Sequence, residues 1–307
     1  MVDREDFPSL SVIVATYNSA SKSFLAECLQ SIARQRYPGA IELLVADGGS
    51  TDQTLAISES FGAKIVRNPS VTELGYQGGK NRALKAAQGA MISFVDADNI
   101  LIESDFFLKM VRPFILEPNV VMSVPCPHIP ARREMSEVGR YFCLAERDYW
   151  VGLSSTGQQQ SHDWVQFRPQ KAVVPNAALL RRSVLESIGG WDYDTEVAAR
   201  LLTTKWATFA YVPEARRLHR EVKNYREVLI KLNRRTVHQT THASEKPVVS
   251  HEIAEALRDP VRYVRDELSV PLFHLLTERN LTYIQALPVF GIKVGIQVVR
   301  RTWKVGR

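Results

Sequence analysis

Cysteine is scarce in this chain of 307 residues: only Cys28, Cys126 and Cys143 occur, in neither CxxC spacing nor an even set. That rules against a disulfide framework and against a thiolate zinc site, and a reducing compartment is expected. No internal repeat, low-complexity tract or Gly/Ser linker divides the chain, so any second region is expected to pack closely on the first. Met1 to Asp6 is charged and lacks the basic flank and apolar run of a secretory signal, which makes the cytoplasm the expected location. The apolar stretch from Leu281 to Val299 is broken by Gln285, Pro288, Lys293 and Gln297 and makes a poor membrane-spanning helix.

What is present is an ordinary globular composition, 45% hydrophobic and 23% charged, with a formal net charge of +6. Such a chain can bury a full core, and its positive balance suits an anionic partner: a nucleotide, a phospholipid surface or nucleic acid. Charge alone does not choose among them.

Leu10 to Thr16 is a nearly continuous apolar, β-branched run, as in a central strand covered on both faces. Ser23 to Gln35 follows with helical spacing of Phe24, Leu25, Cys28, Leu29 and Ile32. Ile41 to Ala46 reads as a second buried strand. It ends at Asp47-Gly48-Gly49-Ser50-Thr51-Asp52, where Ser50 or Thr51 is expected to cap the next helix. Ala63 to Val66 reads as a strand, Gln77 to Gln88 as a helix, Ala90 to Val95 as a fourth strand, and Ser104 to Leu116 as a helix. Val120 to Pro125 is strand-like, and Pro127 to Pro175 is a less regular, aromatic-rich stretch that reads either as an acceptor-facing insertion or as a loop packed on the sheet. The alternation predicts an α/β fold with a doubly wound, mainly parallel sheet flanked by helices.

In such sheets ligands bind beyond the carboxyl ends of the strands. Three polar turns stand there: Thr16-Tyr17-Asn18, Asp47-Gly48-Gly49 and Asp96-Ala97-Asp98. The last presents two carboxylates where a buried strand meets solvent, a hard oxygen set that suits Mg2+ or Mn2+ bridging to a diphosphate. Asp47 reads in two ways, as an acceptor for the N–H of a nucleotide base or as the group that orders its own turn. Lys80, Asn81 and Arg82, expected at the start of their helix, bring positive charge and amide donors toward the same mouth, or else form a solvated face.

Val12 to Asn18, Val45 to Thr54, Gly79 to Gly89 and Phe94 to Asp98, in this order and spacing, resemble the family-2 inverting glycosyltransferases of the GT-A fold. The resemblance implies that Thr16, Asp47, Lys80 and Asp96 bind a nucleotide-diphosphate sugar, joined by their neighbours Tyr17, Asn18, Gly48, Asn81 and Ala97. It also implies that Asp98 holds the metal. Pro175 to Asp192 looks like the acceptor-side segment of that family, with Trp191, Asp192 and Glu196 as acceptor contacts. Asp194 falls at the position of the catalytic base, while Tyr193 departs from the family's pattern by replacing an acid. The alternative for Asp192 and Asp194 is that they cap the following helix. His219, after a strand-like Phe209 to Val212, matches a histidine common in these enzymes and is a candidate metal ligand. Arg216, Arg217 and Arg220 around it favour a phosphate-facing role.

On this reading residues 1–220 form the catalytic domain, about 1–100 binding the donor and about 120–220 facing the acceptor. Residues 221–307 form a helical, basic extension that either packs on the catalytic domain or lies on an anionic membrane surface. The expected partners are the donor and a glycan or lipid-linked acceptor. Two rival functions remain. A sugar nucleotidyltransferase would need a Gly-rich basic loop after the first strand, where Thr16 to Ser21 has none. A nucleic-acid-binding protein would show a recognition motif, and the basic residues after Arg216 carry none.

Overall fold

The computed structural model of the chain describes residues 7–20, 24–68, 71–131, 133–155, 163–168, 174–191, 194–204 and 207–220. Met1–His128 with Tyr149–Arg220 make one compact unit, and Ile129–Asp148 belong to a second.

In the first unit β1 (Leu10–Thr16) lies between β2 (Ile41–Asp47) and β4 (Met91–Asp96), with β3 (Lys64–Arg67) outside β2, all four parallel. Every residue of β1 is buried. Successive side chains of a strand point to opposite faces, so a strand covered on both sides must be apolar throughout. Ile13, Ile92 and Phe94 accordingly join one core cluster, while Val12, Val14, Met91 and Val95 join the other.

Helices α1 (Phe24–Ala33) and α4 (Phe106–Leu116) send Leu25, Cys28 and Leu29, and Phe106, Phe107, Met110 and Val111, into the second cluster. Helix α3 (Val71–Ala86) contributes Ala83 and Leu84 to the first, joined by Leu185 of α6 (Arg182–Ser187) and by Val197, Ala198 and Leu201 of α7 (Asp194–Thr203). The sheet is therefore covered on both faces, as expected of a doubly wound fold.

Beyond β4 the sheet becomes mixed. Its order is β3-β2-β1-β4-β8-β6-β9-β5, with β5 (Asn99–Leu101), β6 (Val120–Pro127), β8 (Leu179–Arg181) and β9 (Thr208–His219), while β7 (Val165–Phe167) pairs with β9. Strand β8 runs antiparallel to both β4 and β6, and β5 runs antiparallel to β9.

Four expectations need correction. Helix α3 starts at Val71 rather than Gln77, so Lys80, Asn81 and Arg82 lie well inside it. Its Gly79 packs toward β2, where a Cβ would sit at an ordinary contact distance of 3.6 Å from the Ala46 side chain. Helix α2 (Thr54–Ser60) is preceded by Gln53, not capped by Ser50 or Thr51, whose groups bond to Asn18 instead. The stretch from Pro127 to Pro175 holds an 18-residue helix, α5 (Glu137–Ser154), as well as β7. Of its aromatics, Trp150, Trp164 and Phe167 are buried whereas Tyr149 is exposed. Strand β9 extends past the expected Val212 to His219. No helix among the described residues is long and apolar enough to cross a membrane.

Candidate functional site

Parallel register sets the first half of the site. Thr16 pairs with Asp47 and Ala15 with Asp96, so β1, β2 and β4 end level with one another. The turns that follow β1 and β2 are laced together. Asn18, in the left-handed region at φ 45, donates its backbone N–H to Ser50 Oγ at 2.9 Å, and its Oδ1 accepts the Thr51 N–H at 2.9 Å. Asparagine tolerates that conformation better than most residues. The hydroxyl of Thr16 donates to Ser19 at 2.8 Å, and Tyr17 stands exposed at the rim.

The Asp47 carboxylate is 1% exposed and accepts the N–H groups of Gly49 at 3.0 Å and Ser50 at 3.1 Å. It orders the turn that begins at Gly48, and Gly49, at φ 91, supplies the conformation the turn requires. This is one of the two readings open from the sequence, and it holds the end of β2 rigid.

At the end of β4, Asp96 is clamped from three directions. Lys80 Nζ lies 3.2 Å from Oδ1. Asn176 accepts the Asp96 backbone N–H through Oδ1 at 2.9 Å and donates Nδ2–H to Oδ2 at 2.8 Å. The Lys80 stem is buried, and its ammonium lies 5.4 Å from the Trp191 ring centroid and 5.9 Å from that of Phe94. Those two rings are themselves in contact, with centroids 3.9 Å apart. Trp191, expected to meet an acceptor, is thus a core residue, 2% exposed, that buttresses Lys80. Asn81 faces the same junction, its Oδ1 accepting the Trp191 backbone N–H at 3.5 Å.

The second carboxylate of the turn is paired by the far side of the sheet. Strand β5 follows Asp98 directly, and its antiparallel register sets Asn99 opposite His219. His219 Nε2 consequently lies 3.5 Å from Asp98 Oδ2, and Asn99 Nδ2 donates to Asp98 Oδ1 at 3.0 Å. Ala97, between the two acids, is partly buried against the second core cluster. One carboxylate and one imidazole, both partly exposed, are a donor set that Mg2+ or Mn2+ accepts. Among the described residues no third His, Cys, Asp or Glu completes a closed cage. Such a pair fits a cation that takes its other ligands from substrate phosphates and water.

The arginines around His219 are each engaged within the protein. Arg216 bonds to Glu103, Arg220 lies 3.1 Å from Glu27, and Arg217 is buried against Asn99. Cys28, close beneath the turn, is no nucleophile: burial first, then the charges of Asp98 and Asp96, push its thiol far up.

On the acceptor side, Gly189 and Gly190 take φ 90 and 85 before Trp191. A Cβ on Gly190 would come 3.1 Å from Asn81 Oδ1, so the glycine lets this turn press against α3. Asp194 and Glu196 lie in the first turn of α7, their backbone alone being described, while Asp192 and Tyr193 lie outside the described residues, as does 221–307.

Asn176 was not anticipated from the sequence. A neutral amide 80 residues from its partner gives no local pattern. The nearest signal is its position just before the apolar run of β8, the strand beside β4.

Residues 11–189 match the profile of Glycosyl transferase family 2. A PGL/p-HBAD biosynthesis glycosyltransferase of Mycobacterium bovis is 39% identical over 113 residues, covering 36% of this chain and 43% of that protein. A poly(ribitol-phosphate) beta-N-acetylglucosaminyltransferase of Staphylococcus aureus is 41% identical over 97 residues, 30% of this chain and 16% of that one. The chain spans less than half the length of either relative. Among solved structures, a mannosyltransferase from Pyrobaculum calidifontis in complex with GDP-Man and Mn2+ superposes with a TM-score of 0.58 at 17% identity, over 98% of this chain and 89% of that one. At that identity the likeness is one of fold, the GT-A arrangement.

Proposed function

The chain belongs to glycosyl transferase family 2, and from that premise we propose that it transfers a sugar from a nucleotide-diphosphate sugar to an acceptor hydroxyl by an inverting single displacement. The observation that carries this reading is the acidic turn: Asp96 is held by Lys80 and Asn176, and Asp98 is turned toward His219. Asp98 and His219 would hold Mg2+ or Mn2+, which when bound supplies positive charge against the diphosphate as it departs. GDP-Man and Mn2+ bound by the mannosyltransferase of like fold support that assignment.

The protein's own residues then divide the work. The turns of Thr16, Tyr17 and Asn18 and of Asp47 and Gly48 receive the nucleotide. Lys80, Asn81 and Asp96 orient the donor beside Ala97, and the low-dielectric setting of the Lys80 stem strengthens its field there. Asp194 takes the proton of the acceptor hydroxyl as its oxygen bonds to the anomeric carbon, while the bond from that carbon to the diphosphate oxygen breaks. A positioned general base contributes on the order of 10² to 10⁴ in rate. The acceptor, on the side of Asp192 and Glu196, is a glycan or lipid-linked hydroxyl. The relative that acts on poly(ribitol-phosphate) supports this choice.

Two substitutions separate these roles. Asp98→Ala is expected to abolish cation-dependent turnover and weaken nucleotide affinity, read by calorimetry with UDP or GDP and Mn2+. Asp194→Asn is expected to keep that affinity and lose transfer. Undiminished transfer by Asp194→Asn would remove the base assignment, and release of pyrophosphate instead of nucleoside diphosphate would point to a nucleotidyltransferase.

A further inference from the structure

Arg217 is one of the largest fully buried side chains, 2% exposed, between the buried apolar residues Ala215 and Leu218 of its strand. A guanidinium in such a place is costly to keep unless its hydrogen bonds are made. Register explains how it is used. Arg217 stands opposite Leu101 on β5, one diagonal step from Asn99, within reach of a long side chain. Its Nη1 donates to Asn99 Oδ1 at 2.9 Å, and Asn99 is wholly buried.

The chemistry of the two groups makes this contact directional. Arginine has five donors and no acceptor, and the amide of asparagine has one end of each kind. Arg217 therefore holds the oxygen of Asn99 toward itself, which turns the NH2 toward Asp98 Oδ1 at 3.0 Å. Inverting the amide would set donor against donor at Arg217 and oxygen against oxygen at Asp98. With Oδ1 held, the other oxygen of Asp98 is the one turned to His219, at 3.5 Å. We infer that Arg217, acting through the amide of Asn99, is the positioning residue that sets which face Asp98 presents beside His219. The inference rests on the reading of Asp98 and His219 as cation ligands. Groups that orient a metal ligand from behind commonly matter to affinity by about 10- to 100-fold.

The test uses the full chain and Mn2+ as probe, with free Mn2+ counted by electron paramagnetic resonance in the presence of UDP or GDP, and thermal melting in parallel. The double variant Arg217→Met with Asn99→Leu replaces a buried polar pair by apolar groups of similar size, which costs little stability or adds some. It is expected to melt at or above the parent temperature, yet to bind Mn2+ about 10-fold more weakly. Arg217→Lys, which still only donates, is expected to bind Mn2+ within about 2-fold of the parent, as a preserved donor at the same atom requires. Parent-like Mn2+ affinity in the double variant, while Asp98→Ala loses it, would overturn the positioning role and leave the cation site standing. Unchanged affinity in Asp98→Ala would overturn the cation reading and this inference with it. Should the double variant fail to fold, Arg217→Gln decides, because its amide no longer dictates the orientation of Asn99: weaker Mn2+ binding supports the role and equal binding ends it.

Discussion

Asp96 illustrates how much of a side chain's behaviour is decided by its neighbours. Its carboxylate meets Lys80 at one oxygen and the Asn176 amide at the other, while the same amide accepts the Asp96 backbone N–H. The next residue, Ala177, holds φ 59, a left-handed conformation that costs an alanine on the order of 1 kcal/mol and persists because its surroundings impose it. Asn176→Ala removes both hydrogen bonds while leaving the buried strand ends in place. Hydrogen bonds to a charged group are worth about 1.5–3 kcal/mol, so the donor KM is expected to rise roughly 10-fold or more, with a smaller change in kcat. A KM within about 2-fold of the parent would show that Lys80 alone holds the carboxylate. Asp47, Lys80, Asp96, Asp98 and His219 were all legible as candidates in the sequence, because acids and cations at strand ends carry a local signature. Asn176 was not, since a neutral amide is informative only once its partner is known. Trp191 was visible but misassigned, because an aromatic beside glycines reads equally as a contact or as core.

At the scale of the elements, β1 to β4 were predicted within a residue or two. Glycine marks a break in local sequence, but in the folded chain it also marks places where two backbones approach. Gly89, at the entry to β4, is such a place: a Cβ there would lie 2.4 Å from the Ser11 backbone nitrogen and 2.5 Å from the Leu10 carbonyl carbon. Backbone of a central buried strand cannot yield as a flexible side chain would. Gly89→Ala is expected to destabilise the fold by about 3 kcal/mol, at the upper end of overpacking costs, measured by urea unfolding. A loss under about 0.5 kcal/mol would mean that the turn relaxes away from β1. The mixed half of the sheet was harder to read. Strands β5, β7 and β8 have three residues each, too short to show a period, and their place comes from pairing with β9, β4 and β6.

For the molecule as a whole, one carboxylate joins several of these elements. Glu42 of β2 accepts hydrogen bonds through Oε1 from the Ser11 hydroxyl of β1 and from the N–H groups of Gln88 and Gly89, between α3 and β4. Burial alone would raise its pKa, but those three donors, aided by Lys64, outweigh it and hold the carboxyl below the usual 4.5. A folded value below the unfolded one means that the ionised form stabilises the fold. That contribution is complete above about pH 4.5 and is lost as pH falls through the lowered folded value. Unfolding free energy measured against pH is expected to fall more steeply below pH 4.5 in the parent than in Glu42→Gln, and identical slopes would remove Glu42 from the account. The sequence by itself determined the parallel α/β half, the buried strands and the acidic and basic candidates at their ends, because apolar periodicity and strand-end chemistry are local properties. Tertiary structure alone decided that Asn176 clamps Asp96, that Trp191 backs Lys80, that His219 reaches Asp98 and that Arg217 meets Asn99 behind it. Each of those contacts joins segments distant in the chain, and partners at such separations leave no period in the sequence.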